Sequence, residues 1–174
     1  NYPSEKVVNS FGVQDDFMYQ YALPILNERA GTGNPFFSVL LSISNHPPYV
    51  IPPYFHPHSD VLEEQIVEYA DWSIRQFMQA AEKQPWFDNT IFVFLGDHGK
   101  MVGTPECEMP QSYNHIPLMI YGKDIKPGVY DGFGGQVDVS PTLLGLLNIS
   151  YLQNNFGVNL LEEERPCMFF TADN

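Results

Sequence analysis

The run Thr90-Ile91-Phe92-Val93-Phe94-Leu95-Gly96-Asp97-His98-Gly99-Lys100 carries an apolar, β-rich segment straight into an acid and an imidazole flanked by glycines. Asp97 offers carboxylate oxygens and His98 a neutral imidazole nitrogen, a mixed donor pair that suits Zn, Mn or Fe better than Ca. Neighbouring residues on a regular strand point to opposite faces, so sharing one ion requires both to sit in the turn beyond it; Gly96 and Gly99 let the backbone make that turn. The competing reading makes Asp97 a cap for the next segment and His98 an ordinary loop histidine. Context favours chemistry. A strand this apolar is expected to be buried on both faces of a parallel sheet, and open α/β sheets keep their ligands at the carboxyl ends of their strands.

A second strand end carries the next candidate. The near-continuous apolar run Phe36-Phe37-Ser38-Val39-Leu40-Leu41-Ser42-Ile43-Ser44 reads as another central parallel strand, and it ends at Asn45-His46-Pro47-Pro48-Tyr49. His46 thus holds the same kind of position as Asp97, against the plain alternative of a histidine packed under the Pro47-Pro48 turn. His115 precedes a third strand, Ile116 to Gly122, which Pro117 limits to an edge or a strand start; it is a candidate supporting residue for the same cleft, or simply structural. His56 and His58, separated by Pro57 in a Pro-rich loop, are expected to be solvated and outside the site. Lys100 is a potential phosphate partner, although a lone lysine beside a glycine is more often a solvated charge.

The elements that must position these residues alternate in type. Phe17, Met18, Tyr21, Ala22, Ile25 and Leu26 recur at helical spacing within 14–29, and the turn Gly31-Thr32-Gly33-Asn34-Pro35 follows. Ile66, Tyr69, Ala70, Trp72, Ile74, Phe77, Met78 and Ala81 predict a long amphipathic helix over 61–83, crossing over to the strand that ends at Asp97. Residues 138–147 read as a short helix with Ser140 as N-cap and Pro141 at its first position, and 167–171 as one more strand. The fold class is α/β.

Composition limits what the protein can do. The 174 residues, 44% hydrophobic and 14% aromatic, support a folded core. Eight Lys and Arg against 21 Asp and Glu give a net charge of −13, which repels phosphate backbones and anionic lipid heads and argues against nucleic acid as a partner. No apolar stretch approaches the ~20 residues that span a bilayer. The first residue, Asn1, suggests a piece of a longer polypeptide. Cys107 and Cys167 lack metal-finger spacing; either one disulfide or, slightly favoured, two unrelated thiols fits them.

Ser44-Asn45-His46-Pro47, the Gly96-Asp97-His98-Gly99 turn, Asn114-His115-Ile116-Pro117-Leu118, and Gly135-Gln136-Val137-Asp138-Val139-Ser140-Pro141-Thr142-Leu143-Leu144 followed by Phe156-Gly157-Val158-Asn159-Leu160 occur in a telling order. Together they resemble the lipoteichoic acid synthase branch of the sulfatase and alkaline-phosphatase superfamily, over about residues 11–161.

That resemblance implies an alkaline phosphatase/sulfatase-like α/β sandwich with a mostly parallel central sheet. It also implies an extracytoplasmic catalytic domain, anchored in the bacterial cytoplasmic membrane by a segment outside this chain. The implied reaction moves phosphoglycerol, or a related alcohol phosphate, from a phospholipid donor to an envelope glycan or polymer through a phospho-threonine. One divalent ion, manganese favoured and zinc possible, would be held by a Glu, the nucleophilic Thr, Asp97 and His98, with His46 beside the transferred phosphoryl group. Gln136 and Asp138 match a motif expected to set the helix near Ser140. Such an ion lowers the pKa of a coordinated hydroxyl and screens phosphate charge, while an imidazole can hydrogen-bond a phosphoryl oxygen or protonate a leaving alcohol.

One departure matters. The family's Thr, its Glu partner and its phosphate-holding Trp and Arg have no match before Phe11, so residues 1–174 are expected to form the C-terminal portion of a catalytic domain and to be inactive alone. Removing the first strands of such a sheet would bare apolar surface and favour self-association. Sulfatase and phosphoethanolamine transferase activities are the alternatives within the superfamily; a non-catalytic module that binds a glycan or lipid head group is the alternative of another class.

Overall fold

A computed structural model of the chain describes residues 2–99 and 114–168. The element order is β1 (Val7–Asn9), β2 (Gly12–Val13), α1 (Asp15–Gly31), α2 (Leu62–Ala81), β3 (Phe92–Leu95), β4 (Leu118–Tyr121) and α3 (Gln136–Leu146), with short 3-10 turns at Ser4–Lys6 and Phe87–Asn89. The chain divides into two compact units, Asn1–Phe92 and Val93–Asn174.

The first unit is built on α1 packed against α2. Met18, Ala22 and Leu26 make the buried stripe of α1, four residues apart; Ile66, Tyr69, Ser73, Phe77 and Ala81 make that of α2. Burying a side chain such as Ile66 contributes roughly 1.5–3 kcal/mol. Tyr19 stacks on Phe77 with ring centroids 4.9 Å apart, and Trp86 Nε1 donates to Asn27 Oδ1 at 2.6 Å. Pro24 lies inside α1 and lacks the N–H that would meet the Gln20 carbonyl; both residues are exposed, so that carbonyl is open to solvent. The helix expected over 61–83 thus runs from Leu62 to Ala81, opened by Ser59, whose Oγ accepts the Val61 N–H at 3.0 Å.

The strand expected over 36–44 is not a strand. Residues 35–43 have no regular secondary structure, and Phe37, Val39 and Leu41 are 86%, 72% and 74% exposed. An apolar run becomes a central strand only when neighbours pair with its backbone, and among the described residues none does. β1 and β2 pair antiparallel, and β3 pairs with β4. β3 is half-buried rather than buried on both faces, and Leu95 at its end is exposed.

In the second unit the helix expected from Asp138 begins earlier. Gly135 is the N-cap, and Pro141 lies inside α3 rather than at its first position. The reason is Asp138. It is the third helical residue, and its Oδ2 accepts the Gly135 N–H at 2.9 Å, half of a capping box reaching back over the first turn. Cys167 and Met168 are not in a strand; the rest of that expected strand, with Lys100 and Cys107, lies outside the described residues. Cys167 is exposed and unpaired among the described residues.

Candidate active site

The sequence candidates fall in both units: His46 in the first, and Asp97, His98 and His115 in the second. Each group is built locally.

Asp97 and His98 occupy the turn beyond β3, where a regular strand no longer forces them to opposite faces. Asp97 Oδ1 accepts the His98 N–H at 2.9 Å. His98 Nδ1 lies 2.7 Å from the Gly99 carbonyl, which can only accept, so Nδ1 carries the proton and Nε2 keeps its lone pair. That nitrogen is 3.8 Å from Asp97 Oδ2. Two ligands each about 2.1 Å from an ion in tetrahedral array sit roughly 3.4 Å apart. A small closure therefore lets both atoms share one ion, and the pair fits the edge of a metal site. Among the described residues no group of three or more His, Cys, Asp or Glu completes it.

The turn is held by two neighbours. Gly96 N–H donates to the Pro117 carbonyl at 3.3 Å, and a side chain at Gly96 would press on Ile116, so residues 116–117 run directly beside the turn. His115 is the next residue back, exposed just ahead of β4. The second neighbour was not foreseen: Gln136, the first residue of α3, donates through Nε2 to the carbonyls of Asp97 at 2.6 Å and Gly96 at 3.3 Å. The sequence placed Gln136 in a helix-setting motif, and periodicity carries no signal for a side chain that reaches back to a turn 39 residues earlier.

Gln136 is itself anchored through Asp138. That carboxylate is completely buried and receives Arg165 Nε at 2.9 Å, Arg165 Nη2 at 2.5 Å, the Val158 N–H at 2.8 Å and the Gly135 N–H. Burial pushes its carboxyl up, but the Arg165 guanidinium and the Val158 and Gly135 N–H groups push it down further, and it titrates below its ordinary range. Arg165 also donates to the Phe156 carbonyl. Arg165 lies outside the recognised motifs and was likewise unread in the sequence.

His46 is exposed at the end of the irregular 35–43 segment. Its Nδ1 is 2.7 Å from the Pro47 carbonyl, so this ring too keeps its lone pair on Nε2. Phe11 covers one face, with ring centroids 3.9 Å apart. The Pro47–Pro48 peptide bond is cis. His58, kept out of the site, is tied to the start of α2: its N–H and Nδ1 both meet Glu68 Oε2, at 2.7 and 3.1 Å.

A model of the sulfatase family matches residues 1–149. The chain belongs to the sulfatase family. Among curated relatives of this sulfatase chain, lipoteichoic acid synthase 1 of Bacillus subtilis is 26% identical over 190 residues, covering 92% of this chain and 28% of the relative. The lipoteichoic acid synthase of Staphylococcus aureus is 23% identical over 196 residues, with the same coverage. The chain thus spans about 28% of the length of the curated relatives it matches.

Solved structures agree on the fold. A protein of the alkaline phosphatase superfamily from Vibrio parahaemolyticus superposes with a TM-score of 0.79 at 30% identity, over 97% of this chain and 40% of that one. The lipoteichoic acid synthase LtaP from Listeria monocytogenes superposes at 0.75 with 28% identity, over 92% of this chain and 45% of that one. This sulfatase-family chain therefore has the alkaline phosphatase/sulfatase-like α/β fold expected from its motifs. Among its described residues no helix is long and apolar enough to cross a membrane.

Proposed function

We propose that residues 1–174 form the C-terminal portion of the catalytic domain of a metal-dependent transferase. It moves phosphoglycerol from a membrane phospholipid to an envelope glycan or polymer on the extracytoplasmic side, by way of a threonine outside this sequence. The observation that carries this reading is the turn after β3, where Asp97 Oδ2 and His98 Nε2 lie 3.8 Å apart with the histidine tautomer fixed for ligation. Similarity to lipoteichoic acid synthases supports the choice of substrate class.

Asp97 and His98 would hold one divalent ion, manganese by preference, together with ligands outside this sequence. Bound there, the ion lowers the pKa of a nucleophilic hydroxyl and offsets phosphate charge. The chain's own residues supply the rest. Gln136 holds the backbone of the turn, so that binding asks only a small closure of the two side chains. His46, its Nδ1 proton engaged by Pro47, exchanges a proton only through Nε2. In its protonated form it donates there to the departing lipid alcohol, and it takes a proton from the acceptor hydroxyl in the second half of the reaction.

The test is manganese and zinc titration by calorimetry on the full-length protein, paired with release of diacylglycerol from phosphatidylglycerol. Asp97→Ala and His98→Ala should each weaken metal binding by about tenfold or more and abolish turnover. Metal affinity unchanged in both variants would sink the metal reading and favour a module that only binds a head group.

A further inference from the structure

Gln14, the N-cap of α1, and Asp15, its first residue, grip both flanks of the His46 loop. We infer that Asp15 is a positioning residue for His46, an inference that rests on reading His46 as the group that moves the proton of the departing alcohol.

Asp15 is 2% exposed, yet it is the first residue of α1, where a carboxylate ordinarily faces water or the helix's own N–H groups. Instead its Oδ1 accepts the N–H groups of Ile43 and Ser44, each at 3.0 Å, 28 and 29 residues away. Its own N–H donates to Ser44 Oγ at 3.1 Å, and that hydroxyl donates on to Gln14 Oε1 at 3.2 Å. Gln14 Nε2 then donates to the Val50 carbonyl at 2.9 Å. Residues 43–44 lie just before His46 and Val50 lies just after it.

The chain of restraint reaches the histidine itself. The His46 N–H donates to the Ile43 carbonyl at 3.0 Å, closing the turn that starts where Asp15 holds the backbone. Because 35–43 is not in a sheet, the Ile43 and Ser44 N–H groups have no ladder partner there, and one carboxylate oxygen does the work of a neighbouring strand. Gln14, Asp15 and Ser44 are all buried, which makes their bonds obligatory rather than interchangeable with water. Charge-assisted bonds of this kind are roughly twice as strong as neutral ones. A histidine on an exposed loop is thereby referenced to a helix packed against α2, and a misplacement of about 1 Å in a catalytic group can cost ~100-fold in rate.

In the full-length protein, Asp15→Ala should lower kcat for phosphoglycerol transfer by about tenfold to a hundredfold with KM little changed. Asp15→Asn keeps an acceptor oxygen in place and should recover most of the loss. In a His46→Ala background Asp15→Ala should cost nothing further. Independently of substrate, the rate at which diethyl pyrocarbonate modifies His46, read by mass spectrometry, should change several-fold in Asp15→Ala and return in Asp15→Asn. Equal loss of kcat with and without His46, or unchanged His46 reactivity, overturns the inference. Should Asp15→Ala not fold, Ser44→Ala carries the same comparison with a smaller expected change. A wild type that transfers no phosphoglycerol removes the functional reading, while His46 reactivity still decides the link to Asp15.

Discussion

Val13, Met18, Ala22, Leu26, Ile66, Tyr69, Phe77 and Ala81, the buried side chains of Val, Met, Ala, Leu, Ile, Tyr and Phe among the described residues, all belong to the first unit. Among the described residues of the second, the side chains most completely withdrawn from water are Asp138, Pro141 and Thr142, while Leu95, Met119, Tyr121, Phe133, Leu152 and Phe156 are exposed. One unit has an apolar interior between two helices, beside a buried polar cluster of Gln14, Asp15 and Ser44 that holds the His46 loop. The other is organised by polar groups converging on one carboxylate, and it carries the candidate metal ligands. The contrast shows two ways of making a rigid scaffold, one tolerant of small shifts because packing is non-directional, the other dependent on donors arriving at set angles.

The largest test of that contrast is Asp138→Ala. Removing the buried carboxylate should destabilise the second unit by about 3–4 kcal/mol, because donors that converged on it lose their acceptor together. Amide hydrogen exchange should quicken in α3 and around residues 156–158 while the amides of α2 keep their protection; equal quickening in both units would break the comparison. The same carboxylate gives the second unit its own acid sensitivity. Its folded carboxyl titrates below the unfolded value of about 3.9, so its contribution is complete above about pH 4 and fades as pH falls toward the folded value. Asp138→Asn should flatten that acid limb, measured by exchange in α3 between neutral and acid pH.

Ile66→Ala sharpens the comparison from the other side. Ile66 is fully buried, and its truncation should cost about 3 kcal/mol in the first unit, followed by exchange in α1 and α2, with α3 unaffected. The smallest effect concerns the alkaline limb of that unit. Burial, with Asp15 nearby, pushes the Tyr19 hydroxyl up to about 12, and burial with a 2.8 Å hydrogen bond to Asp16 does the same for Tyr54. Folded values above the ordinary 10 mean that this stabilisation is full below pH 10 and lost as pH rises through about 12. Phenolate absorbance should show the late class, and Asp16→Asn should return the Tyr54 midpoint toward 10; a wild type whose tyrosines all ionise near 10 would contradict it.

The same division explains what was readable in the residue string. α1 and α2 announce themselves through Met18, Ala22 and Leu26 and through Ile66, Tyr69, Phe77 and Ala81, because helical burial writes a 3.6-residue period. The turn at Asp97 and His98 was legible because an apolar run breaking at Gly96 leaves few other arrangements. Apolarity misled at 36–44, since it reports a wish to be covered and cannot say whether a partner strand is at hand. Ser140 and Pro141 misled for a different reason. They are local signals, and the helix start was set instead by Asp138, which also draws in the Val158 N–H and Arg165, 20 and 27 residues on. Asp15, Gln136 and Arg165 act across such gaps, and no spacing rule in one sequence ties an acceptor to donors so far away.

Gly157 shows how narrow the margin is. A methyl group on it would overlap the Val137 carbonyl oxygen and crowd Pro141, so loop and helix approach to the thickness of a hydrogen atom. Phe156 and Val158, its two neighbours, hand a carbonyl to Arg165 and an N–H to Asp138. A single added carbon would therefore act as a wedge, lifting both at once and slackening the thread that runs through Asp138 and Gln136 to the turn at Asp97 and His98. Among substitutions far from any reacting atom, alanine at 157 is one whose damage should be read in ligand geometry before it is read in melting temperature.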